Sequence, residues 1–160
     1  MKKAWNVLAW VVTLALIAAI AAVTIPRLFG VQYRAVLTGS MAPELPVGSL
    51  VAIVPTKAED IRIGDNITFV TIGDKVVTHK VVEINGNEFT TQGVANEMVD
   101  APNEYENILG VVRLCLPKVG YAFEFLATMR GKIIAMTTIL ALCIISLIVQ
   151  TLTAPDKREV

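Results

Sequence analysis

Ile67-Thr68-Phe69-Val70-Thr71, Lys75-Val76-Val77-Thr78-His79-Lys80-Val81-Val82 and Glu88-Phe89-Thr90-Thr91 are three β-rich runs in close succession. Gly73-Asp74 separates the first two and Asn85-Gly86-Asn87 the last two, which are turn signals at hairpin spacing. Branched and aromatic side chains between such turns predict antiparallel strands. Outward from this centre the same texture continues. Ala35-Val36-Leu37-Thr38 and Ser49-Leu50-Val51-Ala52-Ile53-Val54 read as strands before it, and Ile108-Leu109-Gly110-Val111-Val112 reads as one after it. Short strands spaced this regularly predict a mainly β domain, a small antiparallel sheet or barrel. Val119 to Leu126 is apolar and aromatic, and two readings stand: core, or surface at a lipid interface.

Both ends of the chain change character. Hydrophobic residues make up 54% of the composition and mean hydropathy is +0.62, more apolar than a soluble domain of this size. The excess sits in Trp5–Ile25 and Ile133–Leu152, two uncharged runs of about 20 residues, the length that crosses a hydrocarbon core of roughly 30 Å. Pro26 and Arg27 are expected to close the first; Arg130 and Lys132 precede the second, and Asp156, Lys157 and Arg158 follow it. A cleaved leader is the alternative for the first run, but its apolar core is long for one and no small-x-small site follows. The expected organisation is an anchor over 1–27 (span about 5–25), a β-rich domain over 28–129, and a second anchor with a charged tail over 130–160 (span about 133–152). The middle segment is long enough for one modest core. Two spans put both termini on one side. Lys2, Lys3, Lys157 and Arg158 favour the cytoplasm for that side; Arg27, Arg34, Lys118, Arg130 and Lys132 pull the other way.

Fourteen basic and fourteen acidic residues give zero formal charge, and no basic run interleaves with aromatics, so a nucleic-acid partner is not expected. Cys115 lies in the middle domain and Cys143 inside the second span, which argues against an internal disulfide; with no CxxC and no Cys/His cluster, neither metal nor cofactor is expected. Chemistry concentrates elsewhere. Ser40 follows Gly39 shortly after the first apolar run, and His79 is the single histidine. A serine hydroxyl needs a neighbouring base to become a nucleophile, and imidazole exchanges protons near neutral pH.

Gly39-Ser40-Met41-Ala42-Pro43 resembles the G-S-M-x-P nucleophile box of type I signal peptidases. Pro46-Val47-Gly48-Ser49 and Ile63-Gly64-Asp65-Asn66-Ile67-Thr68-Phe69 resemble two structural boxes of that family. Thr78-His79-Lys80-Val81-Val82 resembles the box of the base, and Thr91-Gln92-Gly93-Val94-Ala95-Asn96-Glu97-Met98-Val99-Asp100 the acidic box. Gly110-Val111-Val112 with Pro117-Lys118-Val119-Gly120-Tyr121 resembles the closing segment. Each box alone is weak; six in order are specific. The resemblance is to the Ser-His variety found in the endoplasmic reticulum, archaea and some Gram-positive bacteria.

The resemblance implies a membrane-bound serine endopeptidase that cleaves signal peptides from exported preproteins. Ser40 would be nucleophile, His79 general base and Asp100 the acid that orients it, with Thr38 and Met41 at the oxyanion and substrate-binding positions. Another branch of the family uses lysine, but strand neighbours face opposite ways, so Lys80 would turn from a serine that His79 faces. Asp65, after Gly64 in a turn, reads as structural. Implied partners are signal peptides, the lipid bilayer and the translocation machinery. The implied location is the cell membrane, or the endoplasmic reticulum membrane in a eukaryote, with the β-domain outside the cytoplasm. One position departs: Val94 stands where the acidic box has its first aspartate, leaving Asp100 at the second. That departure motivates a catalytically weak or silent scaffold or binding subunit as the alternative. A two-span protein with a plain β-domain would leave the ordered boxes unexplained.

Overall fold

The computed structural model describes residues 2–71 and 73–153; the tail charges Asp156, Lys157 and Arg158 lie outside the described residues. An apolar helix α1 (Lys2–Leu28) leads into strands β1 (Gln32–Ala35), β2 (Leu50–Val54), β3 (Asn66–Val70), β4 (Val76–Asn85), β5 (Glu88–Gln92), β6 (Asn103–Glu104) and β7 (Ile108–Leu116). Helices α2 (Val119–Ala127) and α3 (Met129–Thr153) follow. The strands form one curled antiparallel sheet in the order β1-β2-β7-β3-β4-β5-β6.

The two hairpins at the centre of the sheet form where the turn residues stand. Val70 pairs with Val76 across the first. Asn85 pairs with Glu88 across the second, leaving a two-residue loop whose first position, Gly86, takes φ +59°. Register shifts at Ala52/Ile53, Thr68/Phe69 and Val81/Glu83 bend the strands, and such bulges increase local twist and close a sheet on itself. Gly110 sits at one of them with φ +150°, where a Cβ would lie 2.3 Å from the Val54 carbonyl oxygen.

Curling gives the domain two small cores. Ile61, Ile67, Phe69, Val81, Phe89 and Val111 form one, with the Phe69 and Phe89 rings edge to face at 5.3 Å. Met41, Leu45, Val51 and Ile53 form the other, under the segment that carries Ser40. Full burial of such side chains contributes about 1.5–3 kcal/mol each.

The structure differs from expectation in three places. First, α1 does not close at Pro26 but runs through it to Leu28. A proline removes the hydrogen bond to the carbonyl four residues back. That carbonyl, on Ala22, receives the Tyr33 hydroxyl at 3.5 Å, while Arg27 lies 5.7 Å from the centre of the Tyr33 ring. Second, Ala35–Thr38 is only partly strand. The ladder ends at Ala35, and Val36 instead exchanges backbone bonds with Ser49 and Gly48 as the chain turns toward Ser40. Third, Val119–Leu126 is helical and divides between the two readings. Phe123 is half-buried and lines a cleft, while Val119, Tyr121, Phe125 and Leu126 are exposed, Tyr121 with one edge over Gly48, where a Cβ would lie 2.0 Å from the ring.

Thr128 then ends α2 and caps α3, its Oγ1 accepting the Gly131 N–H at 3.0 Å. Trp10–Leu28 and Met129–Ser146 are long and apolar enough to cross a membrane, and 0% and 6% of those windows are buried, which excludes a core-helix role.

Candidate active site

Ser40 lies on the turn between β1 and β2. The Ala42 N–H donates to the Gly39 carbonyl at 3.0 Å and the Leu45 N–H to the Met41 carbonyl at 2.8 Å. Met41 and Leu45 are 2% and 3% exposed, so the turn is pinned from below by two apolar side chains and Ser40 stands above them. Its backbone is held from the other side: the Ser40 carbonyl accepts the Ala95 N–H at 2.8 Å.

His79 sits on β4 opposite Ile67 and is 7% exposed. Its Nε2 lies 3.2 Å from Ser40 Oγ and its Nδ1 lies 2.5 Å from Asp100 Oδ2. The three residues read from sequence are therefore brought into one chain of contacts, across 39 residues between Ser40 and His79 and 21 between His79 and Asp100. A carboxylate at Nδ1 assigns the ring proton to that nitrogen and turns the Nε2 lone pair toward the serine hydroxyl.

Asp100 belongs to a loop, yet it is fixed to the sheet. Its N–H donates to the Thr91 carbonyl at 2.7 Å, and its Oδ2 accepts the Thr91 hydroxyl at 2.6 Å. Thr91 is 1% exposed on β5 and was not singled out in sequence as part of the site. Its signal was its place at the head of the acidic box, nine residues before Asp100. Val94 is 39% exposed in the same loop.

Thr38 and Met41 border the same cleft as Ser40, Thr38 exposed on its wall and Met41 in its floor. The cleft has a volume of about 1110 Å³ and runs between the segment after β1 and the start of β4, with Phe123 and Glu124 of α2 along its edge. Lys80 takes no part in the serine contacts: its Nζ donates to Glu44 Oε2 at 2.5 Å. Glu44 also accepts from Asn66 Nδ2 at 2.8 Å, and these two bonds hold its carboxyl below the usual carboxylate range. Asp65 accepts the Arg62 N–H at 3.0 Å within its turn, in keeping with the structural reading.

No family model matches the chain. A curated relative does: Signal peptidase I W of Bacillus subtilis (strain 168), 38% identical over 89 residues, covering 52% of this chain and 47% of that protein. Over that stretch the chain is similar to a signal peptidase I. It spans about half the length of the signal peptidase it matches.

Gly93 lies tight against the segment that carries Ser40. A Cβ there would lie 2.8 Å from the Ser40 carbonyl oxygen and 2.7 Å from Asn96 Nδ2. The loop that carries Gly93 can lie against the Ser40 segment only because residue 93 lacks a side chain. Gly93→Ala is expected to lower stability by about 1–3 kcal/mol through overpacking. Thermal unfolding measures that loss.

Proposed function

We propose that this chain is a membrane-bound serine endopeptidase that removes signal peptides from exported preproteins. The carrying observation is the continuous contact Ser40 Oγ–His79 Nε2, His79 Nδ1–Asp100 Oδ2 beside a long open cleft. Ser40 Oγ attacks the scissile carbonyl carbon as His79 Nε2 takes the hydroxyl proton. Collapse of the tetrahedral intermediate breaks the C–N bond, and the imidazolium returns that proton to the leaving amine. Water, deprotonated by the same nitrogen, then releases the acyl group and restores Ser40. Asp100 holds the imidazole in one tautomer and stabilises its protonated form. The Ser40 backbone N–H and the Thr38 hydroxyl are the donors proposed for the oxyanion.

The substrate lies extended in the cleft, between residues 36–38 and the first residues of β4, adding a strand by backbone pairing. Small side chains before the cut fit over the Met41 floor. Two helices apolar enough to cross a bilayer support a β-domain held at its surface, where a signal peptide leaves its own apolar helix and the translocation machinery would deliver it.

Incubating the detergent-solubilised protein with a preprotein, and mapping the product by intact mass, tests this reading. A single cut after a small residue is expected; an intact precursor under folding conditions overturns it.

The domain is further proposed to face away from the cytoplasm. Asn87 lies exposed in the β4–β5 turn. In a background lacking Cys115 and Cys143, Asn87→Cys should react with an impermeant thiol reagent added outside intact cells. Labelling only after the cytoplasm is opened refutes the orientation.

A further inference from the structure

We propose that Glu44 is a positioning residue that, through Lys80 and Asn66, straps the nucleophile turn to β4 and β3 and so sets the Ser40–His79 distance. The proposal rests on the reading of Ser40 and His79 as nucleophile and base.

The geometry is a grip from two sides of one strand. His79 and Lys80 are successive residues of β4, and alternation sends them to opposite faces. His79 meets Ser40; Lys80 meets Glu44, four residues further along the same turn. Asn66 is the register partner of Lys80 on β3, so both donors come to the carboxylate from neighbouring strands. Each carboxylate oxygen receives one: Oε1 from Asn66 at 2.8 Å and Oε2 from Lys80 at 2.5 Å.

The other restraints on the turn act in different directions. Buried Met41 and Leu45 fix its depth, and the Ala95 N–H holds the Ser40 carbonyl from the acidic-box loop. Glu44 supplies the tie toward the strand that carries the base. The pair is partly solvated, with the Lys80 and Glu44 side chains 33% and 38% exposed, so its share of global stability is small. Catalysis is far more sensitive to position: a displacement of about 1 Å costs up to roughly 10²-fold in rate. A strap of this kind is therefore felt in turnover and hardly in folding.

The test compares Glu44→Ala, Lys80→Met and their double variant with the parent on a preprotein substrate. The expected result is a fall in kcat of about tenfold in Glu44→Ala and a smaller fall in Lys80→Met, which leaves the Asn66 bond in place, with KM and the melting temperature little changed. The double variant should be no slower than Glu44→Ala, because that change already releases both ties. Lys80→Arg keeps the ion pair and should retain most of the activity. Lys57→Ala, which breaks the exposed pair with Glu59 at 3.6 Å, serves as the control and should cleave like the parent. Amide exchange supplies a readout independent of cleavage: the Ala42 and Leu45 N–H groups should exchange faster in Glu44→Ala while β3 and β4 stay protected. Parent-like kcat in both single variants, or a fall matched by loss of folded protein, overturns the proposal. If the parent itself cleaves nothing, the peptidase reading fails, and unchanged exchange at Ala42 and Leu45 then refutes the strap separately.

Discussion

A Ser40→Ala protein is expected to fold, insert and bind precursor without cutting it. The change deletes one oxygen from a half-buried side chain whose contact is the imidazole of His79. The turn itself rests on Met41, Leu45 and the backbone bonds around them, none of which the substitution touches. Stability should therefore stay close to that of the parent. Activity should not: removing a serine nucleophile costs about 10⁶ in kcat, because the residual rate comes only from binding and oxyanion stabilisation. The measurement is the ratio of precursor to mature product after prolonged incubation, paired with a thermal melt. His79→Ala belongs to the same unit and should be nearly as severe, with no further loss when the two are combined. Undiminished cleavage by Ser40→Ala would remove the enzyme assignment.

The second large effect is expected from Asp100→Asn. Asparagine preserves the shape but not the charge. The Thr91 hydroxyl and His79 Nδ1 meet the same carboxylate oxygen, Oδ2. An amide oxygen in that place keeps both bonds but lacks the negative charge that stabilises the imidazolium; an amide nitrogen there donates to Nδ1 and drives His79 to the tautomer with its proton on Nε2. In Ser-His-Asp triads this exchange lowers kcat by about 10⁴. Thr91→Val should cost less, since it removes one of two bonds that hold Asp100 and leaves the charge in place. Val94→Asp should change cleavage by less than about twofold, because residue 94 is 39% exposed and Asp100 already occupies Nδ1. If Asp100→Asn cleaves like the parent, Ser40 and His79 work as a dyad. If Val94→Asp alone confers activity on an otherwise silent protein, the scaffold reading prevails.

Much of the architecture was legible because it is written in local pattern. Uncharged apolar runs announce α1 and α3, and Gly73-Asp74 and Asn85-Gly86-Asn87 announce the hairpins around β4. Edges were less legible, since they depend on partners. β1 stops at Ala35 because Val36 turns to Ser49 and Gly48, and β7 extends to Leu116 because β2 is there to pair with it. The helix over Val119–Ala127 was hidden by its aromatic residues, which read equally as core or as surface at a lipid interface, and is shaped by Gly48 and Gly131 accepting close approach. Within the site, Ser40, His79 and Asp100 could be singled out by type and motif. What sequence spacing could not carry was Thr91 beneath Asp100 and Glu44 beside Lys80, where the contact is made by strand register and loop packing.

The site is divided between two kinds of backbone. His79 and Thr91 stand on paired strands, whereas Ser40 and Asp100 stand on loops tied down by a few bonds. Loops of this sort open at lower free energy than the sheet that supports them. On heating, the protein should lose turnover while its β-signal is still intact, and regain it on cooling as long as the sheet has not melted. Its working temperature is set by the fastening of two loops, and a substitution that tightens either one would raise that temperature without moving the melting point of the fold.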